Sequence, residues 1–122
     1  MAAAGDIDAF FAGRATAREL FEALRMIVDR LGEHEVRVTR SQVAFSRTRG
    51  FAWAWTPDRY LRGETAPLVL SVALDRRAVS TRWKEAIEPT PGRWMHHLEL
   101  RTLEDLDDEV VGWLREAYAL AG

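Results

Sequence analysis

The amino-acid pattern predicts an α+β domain: a single antiparallel β-sheet with an N-terminal and a C-terminal amphipathic helix packed on one face. Two observations carry this. Apolar residues recur at three- and four-residue spacing as far as Leu31, alternate from Val36 onward, and return to helical spacing after Thr102. Helix, strands, helix is a two-layer arrangement in which both helices cover the same side of the sheet. At 122 residues, 48% hydrophobic and 30% charged, the chain reads as one domain over 1–122, and disordered, collagenous and low-complexity classes are excluded.

The elements follow in order. Asp8 is placed to cap a short turn through Phe10 and Phe11 that Gly13 ends. Thr16 and Glu19 have capping-box spacing, in which each side chain satisfies the other's free backbone donor. Leu20, Phe21, Leu24, Ile27, Val28 and Leu31 then form the apolar stripe of a helix that stops at Gly32. Val36 and Val38 alternate with Arg37 and Thr39, and Gln42–Ser46 continues the period. Arg47–Gly50 is a turn, and Phe51, Trp53 and Trp55 alternate with Ala52, Ala54 and Thr56 until Pro57-Asp58, which makes a β-hairpin. After the Gly63–Pro67 loop, Leu68–Leu74 is a strong strand. Trp94–Leu100 is the last strand, entered through a stiff Pro89–Gly92 segment. Thr102, with Asp105 at the capping-box offset, opens a closing helix whose apolar face is Leu106, Val110, Trp113, Leu114, Ala117 and Tyr118.

Strict alternation assigns Val43, Phe45, Phe51, Trp53, Trp55, Leu68, Leu70, Val72 and Leu74 to the helix-packed face. Ala44, Ser46, Ala52, Ala54, Ser71 and Ala73 fall on the other. Each large side chain gains about 1.5–3 kcal/mol on burial, so the first face must be core. The second is small and nearly uncharged, which suits a close-packed helix, a partner or the floor of a cleft.

Without cysteine, thiol nucleophiles, disulfides and zinc–cysteine sites are excluded. Met1–Phe11 carries Asp6 and Asp8 with no preceding basic residue, unlike a secretory leader, and Ala66–Leu74 is too short to span a bilayer; a cytoplasmic protein without membrane contact is expected. Arginine outnumbers lysine 16 to 1, which reads as coding bias. Arg37, Arg40, Arg47, Arg49, Arg59, Arg62, Arg76, Arg77, Arg82 and Lys84 make the centre basic, while both ends are acidic. Acidic helices packing beside a basic sheet are the plain account, and a surface that meets an anion is the sharper one.

Val36–Phe45, Gly50–Trp55, Arg59–Gly63, Pro67–Ser71, Trp83–Glu85 and Glu88–Leu100 together resemble a bacterial family catalogued as a domain of unknown function, DUF5655. Pro91-Gly-Arg-Trp-Met-His-His97 is the most specific block, and the resemblance runs from Phe10 to Tyr118. It implies a binding or interaction module more than a self-contained enzyme, and brings no catalytic residues with it.

Candidate site residues sit late in the chain. Alternation puts His97 and Glu99 on one face and turns His96 to the other, so His97 and Glu99 offer two metal ligands or an imidazole oriented by a carboxylate; a third ligand is missing. Glu85 and Glu88 are paired acids, read as partners of arginines. Tyr60, Trp83 and Trp94 are the aromatics left for stacking, and no RNP, GXXG or recognition-helix motif accompanies them. The expected site therefore lies on the second sheet face and its rim, with Arg93, His97 and Glu99, and with Trp83, Lys84 and Glu85 beside them. Arg93 can grip an anion bidentately, so the expected ligand is an anionic small molecule or a protein partner. No cofactor or metal is expected, and no catalytic residues are assigned. A nucleic-acid accessory role through residues 36–84 is the second reading, and a small enzyme or metal site on His97 and Glu99 the third.

Overall fold

A computed structural model of the protein describes residues 4–122; the first three positions of the expected domain lie outside the described residues. Six strands form one sheet, β1 (Glu35–Val38), β2 (Val43–Ser46), β3 (Gly50–Trp55), β4 (Leu68–Leu74), β5 (Trp83–Thr90) and β6 (Arg93–Leu100). Their spatial order is β1-β2-β3-β4-β6-β5, and every neighbouring pair is antiparallel. Three helices accompany it: α1 (Ala4–Phe10), α2 (Ala15–Leu31) and α3 (Asp108–Leu120). The predicted α+β class stands, with helices at both ends of the chain.

The apolar stripe of α2 buries Leu20, Phe21, Leu24 and Val28 as its spacing requires, and Gly32, at φ 139°, ends it. Its start differs from expectation. Thr16 and Glu19 form no capping box, because the helix begins at Ala15, with Arg14 at the cap position and turned to Asp58 at 3.0 Å. Asp8 lies inside α1 instead of capping it and pairs with Arg18 at 2.6 Å. The box of Thr102 and Asp105 does exist, but it closes a 3₁₀ turn over Leu103–Asp105; α3 has its own cap, Asp107, which accepts from the Val110 amide.

A further strand, β5, occupies residues expected to be a connecting segment. Half of its residues are charged or polar, and as an edge strand it leaves most side chains in water, so it carries no apolar alternation to read. Pro89 is tolerated there because an edge strand has amides that need no partner. Of the segment expected to be stiff, Pro89 and Thr90 end β5 and Pro91-Gly92 make the hairpin turn into β6; the Gly92 amide (φ 76°) donates to Glu88 Oε2 at 3.0 Å.

The core lies between the sheet and helices α2 and α3. Phe11, Phe21, Phe45 and Phe51 run through it in contact, with Phe21 and Phe45 stacked at 6.0 Å and Phe51 edge-on to Tyr118 at 5.5 Å. One irregularity decides which residues join them. Phe45 pairs with Ala52 but the next residue, Ser46, pairs with Gly50, so Phe51 is an extra residue in β3. At such a bulge two successive side chains point to the same side. Phe51 and Ala52 are both fully buried, and the alternation beyond them is inverted. The face assignment is corrected accordingly: Ala52 and Ala54 lie under the helices with Val43, Phe45, Leu70 and Val72, whereas Trp53 and Trp55 lie on the opposite face with Ala44, Ser71 and Ala73.

Candidate functional site

The inverted phase of β3 builds a site on the face away from the helices. Cross-strand partners share a face, so Ala44, Trp53, Ser71, His97 and Glu85 form one row across five strands. Trp55 stands two residues beyond Trp53 on the same face, and Met95 two residues before His97. Tyr60, just after a 3₁₀ turn over Pro57–Arg59, meets Trp55 edge to face at 6.2 Å. Ser41 and Gln42 of the β1–β2 turn close the remaining side; Thr39 Oγ1, which accepts from both their amides, holds that turn. Trp53, Trp55, Tyr60, Ser71, Met95 and His97, with Ser41 and Gln42, line a cleft of about 370 Å³, within the range of sites that take small molecules.

Trp53 keeps its place through Gly50. A β-carbon there would fall 2.6 Å from Trp53 Cζ2, so the absence of a side chain lets the indole lie against the strand. Below the cleft runs a hydrogen-bond chain. The Trp55 indole N–H donates to Ser71 Oγ at 3.0 Å, and Ser71 Oγ lies 2.7 Å from His97 Nδ1. An indole nitrogen only donates. Ser71 is 4% exposed; with its hydroxyl donating to His97 Nδ1 the imidazole proton sits on Nε2, and with the roles reversed it sits on Nδ1. Among the described residues nothing bonds Nε2, and no buried polar side-chain atom lacks a partner, so Nε2 opens outward. Burial holds the His97 imidazole below its ordinary pKa; Glu85 draws it up and Lys84 pushes it down. Trp55 also meets the His97 ring edge to face at 6.2 Å. Ser71 Oγ, covered and already accepting an N–H, is a positioning group for His97 and not an exposed nucleophile.

Five of the six residues expected to form the site share the open side of the sheet and Trp83 does not, and only His97 lines the cleft. His97 is in the cleft, with Ser71 and not Glu99 as its hydrogen-bond partner. Glu99 faces Lys84 at 3.5 Å and Arg101 at 3.6 Å. Arg93 shares the open face, but its guanidinium donates to the Gly50 carbonyl at 3.1 Å. Glu85 pairs across from His97 on the exposed edge. Trp83 is on the other face, packed on Trp113 at 4.1 Å and on His96 at 4.7 Å, with its N–H on the Ala78 carbonyl. Among the described residues no three His, Asp or Glu side chains come together as a metal site would need. Ser71 is on the cleft face, as its alternation predicted, whereas Trp53, Trp55, Met95 and Gln42 were not expected in a site; Gly50 at the start of an alternating run was the available sign of a bulge.

The basic centre is largely spent within the molecule. Arg76 grips Glu116 bidentately at 2.9 Å, and Arg82 joins Asp107 and Glu109 at 2.9 Å. These guanidiniums hold the Glu116 and Asp107 carboxyls below the usual carboxylate range. Arg47 and Arg49 donate to the Tyr118 and Leu120 carbonyls at the end of α3, where cations meet the negative end of a helix. Arg59 donates to the Phe10 carbonyl and covers its ring. No described helix is long and apolar enough to cross a membrane.

A family model described as Domain of unknown function (DUF5655) matches residues 7–121. No curated protein and no solved structure matches the chain.

Proposed function

Since the chain belongs to the DUF5655 family, whose name assigns no activity, its function has to be argued from the cleft, and we propose that it is a small binding module that takes a neutral, ring-bearing small molecule on the open face of the sheet. One observation carries this reading. In a chain that is 30% charged, the residues lining the cleft are all uncharged, and three of them are aromatic: Trp53, Trp55 and Tyr60. Aromatic walls with a few convergent polar groups suit a flat ligand that needs little solvation.

The same lining argues against the anion expected from sequence. Arg93 and Lys84 lie outside the lining, Lys84 is paired with Glu99, and the acid Glu85 stands beside His97. An anion entering here would lose hydration without meeting a cation in the lining. The experiment is a titration of ¹⁵N-labelled protein with neutral ring compounds and, separately, with inorganic phosphate. The Trp53 and Trp55 indole N–H signals shift with the ring compounds and stay fixed with phosphate. Phosphate shifts centred on Arg93 and Lys84, with the indoles unmoved, would restore the anion reading.

A further inference from the structure

We infer that the cleft recognises a lactam-type heterocycle, a flat ring with a carbonyl acceptor beside a ring N–H, as in a pyrimidine or purine base or its nucleoside. The inference rests on the neutral-cleft reading and adds the ligand's chemistry to it. Three features of the wall select this class. Trp55 stands edge-on to both Tyr60 and His97, so the aromatic groups meet at corners that receive a flat ring against one face and its rim against another. The chain from Trp55 through Ser71 to His97 fixes the direction of the open Nε2 by a 2.7 Å hydrogen bond on the far side of the ring, and with the Ser71 hydroxyl donating to Nδ1, Nε2 is an N–H donor. Gln42 supplies a carboxamide, with acceptor and donor side by side, as a lactam edge has. Pairing of a carboxamide with a base edge is a general mode of base recognition.

The polar inventory separates this class from sugars. A sugar carries hydroxyls around its whole rim, and each one taken from water needs a partner. The cleft offers Ser41, Gln42, the Tyr60 hydroxyl and His97 Nε2, while Ser71 is covered. That matches a ring with polar atoms on one or two edges.

The test uses the full ¹⁵N-labelled chain with five probes: uracil, uridine, an oligouridine, indole (flat, with no lone-pair acceptor) and cellobiose. Uracil and uridine shift the Trp55 indole N–H and the His97 ring signals with similar affinity. Indole shifts the same tryptophans but binds roughly tenfold more weakly, the loss of about one hydrogen bond. Cellobiose leaves the cleft unmoved. His97→Phe keeps a ring and removes the donor, and it brings uracil to the level of indole without weakening indole. Should that variant fail to fold, the wild-type His97 nitrogens decide: about one pH unit above the ordinary imidazole value of roughly 6.5, Nε2 carries the proton and Nδ1 does not. Indole equal to uracil, cellobiose tighter than either, or a proton on Nδ1 overturns the lactam assignment and leaves the neutral-cleft reading standing. No shift at Trp53 or Trp55 with any probe overturns both. An oligouridine that binds through Arg37 and Arg40 with the cleft unmoved replaces both with a nucleic-acid surface.

Discussion

His96 and His97 are neighbours in sequence and opposites in circumstance. His96 points under the helices and is fully buried; its Nε2 accepts the Ala78 amide at 3.0 Å and its ring lies against Trp83. His97 points to the open face, anchored at one nitrogen by Ser71 and free at the other. Burial lowers both pKa values. One face of the sheet thus spends its polar atoms on closing the core, while the other holds one in reserve for something outside.

The largest test of that contrast is truncation on each face. Phe45→Ala, in the centre of the aromatic core, is expected to cost about 3–5 kcal/mol in urea unfolding. Trp53→Ala, half-buried on the open face, should cost clearly less and abolish ring-compound binding. Equal costs would mean that the open face is structural. Gly32→Ala comes next at about 1–3 kcal/mol, because its φ of 139° suits glycine and a β-carbon would meet the Tyr118 hydroxyl at 2.4 Å. His96→Ala should destabilise by about 1–3 kcal/mol by orphaning the Ala78 amide, and His97→Ala by less than His96→Ala; thermal melts at one pH compare them.

Acid sharpens the comparison further. Both folded-state imidazoles sit below the ordinary value of about 6.5, so as pH falls through it the unfolded chain binds protons first and stability drops. The melting temperature is expected to hold from pH 8 to about 7 and decline toward pH 5, with a shallower decline in His97→Phe. A second loss follows below about pH 4, where Glu116 and Asp107 give up their arginines. A flat melting temperature through pH 6 would contradict the first step. The smallest effect belongs to the surface: a double-mutant cycle on Arg76 and Glu116 should return about 0–1 kcal/mol.

What could be read without coordinates follows from where the signal lies. The stripe of α2 and the run Leu68–Leu74 are strong because one period repeats over many residues, and both elements are where spacing puts them. The paired faces of β3 were lost to a single inserted residue: Phe51 is in the core as expected, yet everything after it changes sides. Since strand periodicity is two, one bulge turns a whole face over, and it carried Trp53 and Trp55 out of the predicted core into the cleft. β5 was hidden because an exposed edge strand has no apolar face to announce it. Of the expected site, His97 and the floor residue Ser71 join the cleft, since the alternation of β6 and β4 that places them is regular. Trp83 depended on a strand that was not foreseen.

The clamp between the β2–β3 turn and the end of α3 bears on the order of folding. Thr48 and Arg49 amides donate to the Ala121 carbonyl, at 2.9 and 3.2 Å, and the Arg47 and Arg49 guanidiniums hold Tyr118 and Leu120. These contacts join residues about seventy positions apart, so their closure entropy is large and they belong to the slow, late part of assembly. Once made, they give an exposed turn a protection it could not have alone. The Thr48 and Arg49 amides should exchange with solvent only when α3 leaves the sheet, reporting that opening from the far end of the chain.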